Sequence, residues 1–90
     1  MSLSDATYGE IVKTGRWIYF VAMLPNPKTS RFLVKTNPTG DAPGAHLGTI
    51  TWYAPWRKYV FRPESDTVFE PVCLGEIAEF LTALMSEREA

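Results

Sequence analysis

Residues 52–61 read WYAPWRKYVF, and this short segment decides the predicted fold. It contains five aromatic side chains and two adjacent cations around a central proline. The pattern predicts a β-hairpin with an aromatic and basic surface. Because proline cannot take the positive φ angle of a two-residue type I′ loop, we expect a four-residue loop over residues 53–56. The flanking strands then pair Trp52 with Arg57.

The predicted hairpin has two different faces. Its register also pairs Ile50 with Tyr59 and Gly48 with Phe61, and opposite residues in an antiparallel pair share a face. One face is apolar and is expected to meet the core: Ile50, Trp52, Tyr59 and Phe61. The other face is open: Thr49, Thr51, Lys58, Val60 and Arg62, with Tyr53 and Trp56 at the loop. A slip by one residue would bury Lys58, so the two faces are well specified.

The open side of the hairpin is the candidate binding surface. Tryptophan, tyrosine and arginine are the residue types that dominate protein interfaces. The expected partner-binding residues are Tyr53, Trp56, Arg57, Lys58 and Arg62. Arg57 is expected beside Trp52 at the edge of the core, where it stacks on the ring or pairs with an acid. For the two loop aromatics, the structural alternative is a role as cover over Pro55.

Residues 71–89 predict an amphipathic helix. Its apolar side chains fall in one continuous arc at helical spacing: Leu74, Ile77, Ala78, Phe80, Leu81, Leu84 and Met85. Pro71 suits the first helical position, which makes Glu70 the N-cap residue. Glu76, Glu79 and Glu87 lie on the opposite side of the helix and are expected to face solvent.

The residues before the helix predict strands and turns. Residues 16–24 are apolar at both parities, which is typical of a central strand covered on both faces, and Trp17 is expected in the core. Further strands are expected over 31–36, 47–53 and 56–62, with weaker signals at 7–13 and 67–69. Residues 37–48 contain two prolines and three glycines and predict a long flexible loop that includes His46.

These elements predict an α+β fold. We expect a small antiparallel sheet of about four strands in meander-like order, with one C-terminal amphipathic helix packed on one face. The ninety residues are expected to form a single domain over 1–90, with the sheet in 7–70.

The charge of the chain is distributed unevenly. Residues 1–62 carry eight Lys and Arg against three acids, whereas residues 63–90 carry one cation against seven acids. The two parts therefore have net charges of +5 and −6, which sum to the −1 of the whole chain. Such polarity is typical of a basic surface for nucleic acid or an acidic partner, but it also arises when a basic sheet and an acidic helix balance each other.

The sequence offers little material for catalysis, metal binding or membrane insertion. Catalysis usually needs a base with a pKa near neutrality, an activated nucleophile or a metal, and the chain has one histidine and one cysteine. Cys73 lies at the edge of the apolar helical arc and is expected in the core, with a reactive thiol as the alternative. The longest apolar run, residues 17–25, is far below the roughly 20 residues that cross a bilayer. We therefore expect a cytoplasmic, non-enzymatic protein without a cofactor, a metal or a membrane.

A longer pattern surrounds the hairpin. Residues 47–61 follow the pattern LGxIxWYxxWRxYxF, and residues 73–81 follow CLxxIAxFL. Over residues 47–81 the chain resembles a family of short uncharacterised proteins encoded in phage and bacterial genomes. The resemblance implies a cytoplasmic accessory protein derived from a phage or prophage, and it brings no activity, cofactor or catalytic residue with it.

Together these features favour a protein-interaction module. The expected partner is another protein or a second copy of the chain, bound through the open side of the hairpin. Nucleic acid is the alternative partner for the same face, since bases stack on aromatic rings while cations hold phosphates. The expected cations are Arg31, Lys35, Lys58 and Arg62. The acidic isoelectric point of about 5.7 argues against nucleic acid.

Overall fold

The fold consists of one antiparallel sheet and one long helix. The computed structural model describes residues 2–25, 28–41 and 44–89. Its elements are a single 3-10 turn Leu3–Asp5, strands β1 Ile11–Thr14, β2 Ile18–Ala22, β3 Phe32–Thr36, β4 His46–Tyr53 and β5 Lys58–Pro63, and helix α1 Pro71–Glu89. The predicted α+β class is therefore confirmed, with five strands in place of about four.

Each strand pairs with its neighbour in the sequence, so the sheet is a meander in the order β1-β2-β3-β4-β5. All four pairings are antiparallel. The additional strand is β1. It overlaps the end of residues 7–13, where a strand was only weakly predicted, and it pairs Ile11 with Val21 and Thr14 with Tyr19. Residues 67–69 form no strand and lead into the helix.

Helix α1 covers one face of the sheet and closes the core. The ring of Phe80 stacks on Phe20 with centroids 4.2 Å apart and meets Phe32 edge-on at 5.0 Å. The buried side chains are Ile18, Phe20, Ala22, Phe32, Val34, Leu47, Ile50, Tyr59, Cys73, Ile77, Phe80 and Leu84. Burial of a large apolar side chain contributes about 1.5–3 kcal/mol, so this layer supplies most of the stabilising free energy.

The opposite face of the sheet is not covered by any element among the described residues. Side chains alternate along a strand, so this open face takes the positions between the buried ones. It consists of Ile11, Thr14, Tyr19, Val21, Leu33, Lys35, His46, Thr49, Thr51, Tyr53, Lys58, Val60 and Arg62.

The expectation that residues 16–24 are covered on both faces is wrong. Their side chains are apolar at both odd and even positions because one set packs under the helix and the other set forms part of an apolar open face. The sheet carries a helical layer on one side. Trp17 and Leu24, at the two ends of the segment, are 51% and 62% exposed, so the prediction of Trp17 in the core is also wrong.

The helix occupies the range expected from its hydrophobic pattern. Glu70 caps it, because a carboxylate oxygen of Glu70 accepts a hydrogen bond from the Cys73 backbone N–H at 2.7 Å. That bond lowers the pKa of the Glu70 carboxyl below its ordinary value. The buried stripe is narrower than predicted, since Leu74 is 51% exposed and Ala78 is also exposed. Cys73 is buried, as expected.

Glu76 does not face solvent as predicted. It is half-buried, and its carboxylate accepts a hydrogen bond from the Arg16 backbone N–H at 2.8 Å. Gly15 makes this approach possible, because a Cβ atom at that position would collide with the Glu76 carboxylate. Glu79 is exposed as expected and lies 4.0 Å from the Lys13 ammonium. Glu76 therefore ties the helix to the β1–β2 turn.

The predicted loop over 37–48 ends earlier than expected. Strand β4 begins at His46, so the prediction of a flexible loop is wrong for residues 46–48. Ala42 and Pro43, in the middle of the predicted loop, lie outside the described residues. The imidazole Nδ1 of His46 lies 3.1 Å from a carboxylate oxygen of Glu64, which joins the start of β4 to the end of β5.

Candidate functional site

Strands β4 and β5 join through a four-residue loop over 54–57. Tyr53 pairs with Lys58 and Trp52 with Tyr59, so the predicted pairing of Trp52 with Arg57 is wrong by two residues. Arg57 closes the loop in the left-handed region with φ of 54°, and the loop therefore ends one residue later than predicted. Because a two-residue slip is even, every side chain from Lys58 onward keeps its predicted face.

Tyr53, Trp56 and Arg62 form an ordered cluster at one end of the open face. The Tyr53 and Trp56 rings meet edge to face, with centroids 5.1 Å apart and planes at 89°. The Arg62 guanidinium carbon lies 5.5 Å from the Tyr53 ring centroid, and its Nε–H donates to the Thr51 hydroxyl at 3.2 Å. Trp56 nevertheless remains 67% exposed. These side chains are held before any partner arrives, which lowers the entropy lost on binding.

A surface hollow lies within this cluster. It has a volume of about 250 Å³ and is lined by Tyr53, Trp56, Val60, Phe61 and Arg62. Pockets for small molecules usually measure about 300–1,000 Å³. The hollow is therefore of a size to receive one or two protruding side chains of a partner.

Arg57 and Lys58 border the cluster along the chain. Both are exposed, and within the described residues no side-chain hydrogen bond or salt bridge joins them to a neighbour. The prediction that Arg57 lies on Trp52 is wrong, because the cation over the Trp52 ring is Arg88 from the last turn of α1. The structure thus brings together three of the five predicted residues and leaves two as free cations beside them.

The sequence interpretation missed the aliphatic part of the open face. Pairing across the sheet places five residues in one row: Ile11, Val21, Leu33, Thr49 and Arg62. Val21 and Leu33 are half-buried only by their neighbours within this layer. The signal was present in the parity of β2, since Tyr19 and Val21 alternate with the buried Ile18 and Phe20. Arg62 therefore belongs to the hairpin cluster and also ends this row, on the edge strand β5.

A second polar cluster was also missed, where the end of α1 meets the first residues of the chain. The Glu87 carboxylate accepts hydrogen bonds from the Leu3 backbone N–H at 2.8 Å and from the Ser4 N–H at 3.2 Å, and from the Ser2 and Ser4 hydroxyls. Burial by itself raises the pKa of this carboxyl, but the hydrogen bonds outweigh it and the pKa lies below its ordinary value. Glu87 is therefore a structural contact and not the solvent-facing charge that the helical pattern predicts.

The chemistry available elsewhere in the described residues is limited. Burial raises the pKa of the Cys73 thiol, and the hydrogen-bonded Glu70 carboxylate nearby acts in the same direction, so the thiolate is disfavoured. Across residues 2–25, 28–41 and 44–89, no cluster of three or more His, Cys, Asp or Glu is placed to hold a metal ion. None of the described helical residues belongs to a helix that is long and apolar enough to span a membrane.

The chain is similar to a phage protein along nearly its whole length. It is 32% identical over 78 residues to the "Uncharacterized 9.3 kDa protein" of Acholeplasma phage L2, and the match covers 87% of this chain and 96% of the phage protein. The chain belongs to the family of this phage protein. Similarity to the 9.3 kDa phage protein extends beyond residues 47–81, on which the expected resemblance rested. No family model and no solved structure match the chain.

Proposed function

We propose that this member of the 9.3 kDa phage protein family is a non-enzymatic interaction module of the cytoplasm that docks onto another protein. The docking surface is the hairpin patch, which we define as Tyr53, Trp56, Arg57, Lys58 and Arg62. The observation that carries the proposal is the exposure of Trp56, which is 67% accessible although its neighbours are ordered. A phage accessory protein that acts by contact with a host or virion protein would use such a surface.

The magnitude of this exposure supports a binding role. A tryptophan side chain buries on the order of 200 Å² in an interface, and each Å² of apolar surface removed from water contributes about 25 cal/mol. Covering the exposed part of Trp56 is therefore favourable by roughly 3 kcal/mol before the costs of association. The packing of the turn does not need this ring, since the loop is closed by the bonds from Trp56 N–H to Tyr53 O and from Arg57 N–H to Ala54 O.

The experiment is affinity purification of the tagged chain from host cells, with two matched tryptophan variants. Trp56→Ala removes the patch centre. Trp17→Ala removes another exposed ring, 51% accessible, at the opposite end of the sheet. A cation also lies near this ring, since the Arg16 guanidinium carbon is 5.2 Å from its centroid. We expect Trp56→Ala to reduce partner recovery at least about tenfold, as for an interface hot spot, and Trp17→Ala to leave it unchanged.

The outcomes separate the alternatives. Thermal unfolding of both variants checks that the fold is retained. Equal recovery by wild type and Trp56→Ala would show that the hairpin patch is not the docking site. Recovery that disappears after nuclease treatment would favour nucleic acid, and a mass that rises with protein concentration in light scattering would favour a second copy of the chain.

A further inference from the structure

We infer that the docking surface continues from the hairpin patch across the open face, and that its occupant is a short acidic protein segment with apolar side chains. This inference rests on the proposed function and names the chemistry of the partner. It is carried by three properties of the open face: the sign of its charges, the nature of its centre and its size.

The charges of the open face are mainly positive. Lys35, Lys58 and Arg62 occupy open-face positions, and Arg31 continues the same face two residues before Leu33. No position of this face within the five strands carries Asp or Glu. Glu64 follows β5, and its carboxylate lies 3.1 Å from the imidazole of His46, the cross-strand partner of Lys35. Among the described residues, the salt bridges join other groups, Lys13 with Glu79 and His46 with Glu64. The cations of this face therefore remain available for an acidic partner.

The centre of the open face is aliphatic. Val21 and Leu33 lie side by side on the inner strands β2 and β3, with Tyr19 two residues from Val21, and Val60 lies on the edge strand β5. Single-stranded nucleic acid is bound on flat aromatic platforms, on which successive bases stack. Branched aliphatic side chains offer no such platform, but they bury the apolar side chains of a protein segment. The combination of positive rim and aliphatic centre thus favours an acidic protein segment over nucleic acid.

The size of the face fits a segment and not a large globular surface. Five strands about 4.8 Å apart span roughly 19 Å, and strands of about five residues are roughly 17 Å long. The resulting area, on the order of 300 Å², is well below the roughly 800 Å² that each partner contributes to a standard interface. An extended segment of about six to eight residues is roughly 20–26 Å long and spans this face in one direction.

The spacing of two cations specifies the segment further. Arg62 and Leu33 lie in one row, two strands apart, and Lys35 lies two residues beyond Leu33. Strand geometry places the Cα atoms of Lys35 and Arg62 roughly 12 Å apart, with Leu33 roughly 5 Å to one side of the line between them. An extended segment with acids at positions i and i+4 and an apolar residue at i+2 matches this arrangement, since alternate side chains share a face.

The test is a titration of the isotope-labelled full chain, followed by the amide NMR signals at about 50 mM salt, where charge pairing is weakly screened. The probe is the capped peptide Ser-Glu-Ser-Leu-Ser-Glu-Ser. We expect saturable shifts centred on Leu33, Lys35 and Arg62. A peptide with lysine in place of glutamate should bind at least about fivefold more weakly, and so should a peptide with serine in place of leucine.

Charge reversal in the protein supplies the matched control. Lys35→Glu combined with Arg62→Glu should abolish saturable binding of the acidic peptide. Lys28→Glu reverses an equivalent exposed charge near the end of α1 and should leave binding unchanged. Retained dispersion of the amide spectrum verifies that each variant is folded.

Several results would overturn the inference. These are shifts confined to the helix side, equal binding of the acidic and basic peptides, tighter binding of oligothymidine on the open face, or open-face signals that move with protein concentration alone. If Trp56→Ala abolishes partner capture while Lys35→Glu leaves it intact, the proposed function stands and the acidic-segment inference fails.

Discussion

The guanidinium carbon of Arg88 lies 4.0 Å from the centroid of the Trp52 ring. Arg88 belongs to the last turn of α1 and Trp52 to β4, so the contact joins the end of the helix to the hairpin that carries the docking surface. The Trp52 ring also meets Tyr59 edge-on at 5.2 Å, with Tyr59 buried in the core. The hairpin patch therefore lies on a strand pair whose other face contacts the helix.

Replacement of Arg88 should weaken this junction. Arg88→Ala is expected to lower the free energy of unfolding by about 1 kcal/mol, the magnitude of a partly exposed cation–π contact. Arg88→Lys should lower the free energy of unfolding by less than Arg88→Ala, because an ammonium keeps the charge but loses the planar stack. Urea unfolding measures the effect, with Lys28→Ala as an exposed cation control. Equal stability of the Arg88→Ala and Lys28→Ala variants would contradict the role of the Trp52 contact.

The Glu87 cluster should make stability depend on acid pH. Its folded pKa lies below the ordinary value of 4.5, so its stabilising contribution is present above that pH and is lost as the pH falls through the folded pKa. Glu87→Gln is expected to cost about 1 kcal/mol at pH 7, after allowance for solvent screening. The gap between wild type and variant in urea unfolding should narrow as the pH falls below 4.5. A gap that is the same at pH 7 and pH 3 would argue against an ionic contribution.

Two glycines should respond oppositely to alanine. A Cβ atom on Gly48 would meet the Arg62 carbonyl oxygen and would lie 2.6 Å from Phe61 Cε1, so Gly48→Ala forces β4 and β5 apart. We expect a loss of about 2 kcal/mol, typical of overpacking. Gly75 is exposed within α1 with open space around it, and Gly75→Ala should gain about 0.5–1 kcal/mol through helix propensity. Thermal unfolding of both variants compares the signs directly, and a stabilising Gly48→Ala would refute the close approach of the two strands.

The thiol of Cys73 should be slow to react in the native protein. Burial raises its pKa, which reduces the thiolate that attacks alkylating or disulfide reagents. We expect the reaction with a disulfide reagent at pH 7.5 to accelerate at least about tenfold in denaturing urea. Native reactivity equal to that of the unfolded chain would instead indicate an exposed, activated thiol.

The elements that rest on local patterns were predictable from the sequence. Helix α1 follows from its apolar period and from Pro71 at its start, and the faces of the hairpin follow from strand parity. The register of the hairpin was not predictable, because it depends on the left-handed conformation of Arg57. Trp17 was misplaced since an apolar run does not reveal whether one or two layers cover a strand.

The site was predictable only in part. Tyr53, Trp56 and Arg62 meet because of hairpin geometry, which is local in sequence. The contacts of Glu76 with Arg16, of Glu87 with Leu3 and of Arg88 with Trp52 join residues that are distant in sequence. The hydrophobic periodicity of the sequence does not indicate such contacts, since they depend on how the helix lies across the sheet.

The sequential strand order has a consequence for folding kinetics. Because each strand pairs with the next one along the chain, the sheet grows by successive hairpins and closes no long loop between distant strands. Low contact order of this kind is associated with rapid folding. Helix α1 then packs onto a sheet whose strands are already paired in register. A folding reaction that is fast for a β-rich chain, with a single exponential phase, is the behaviour that this topology favours.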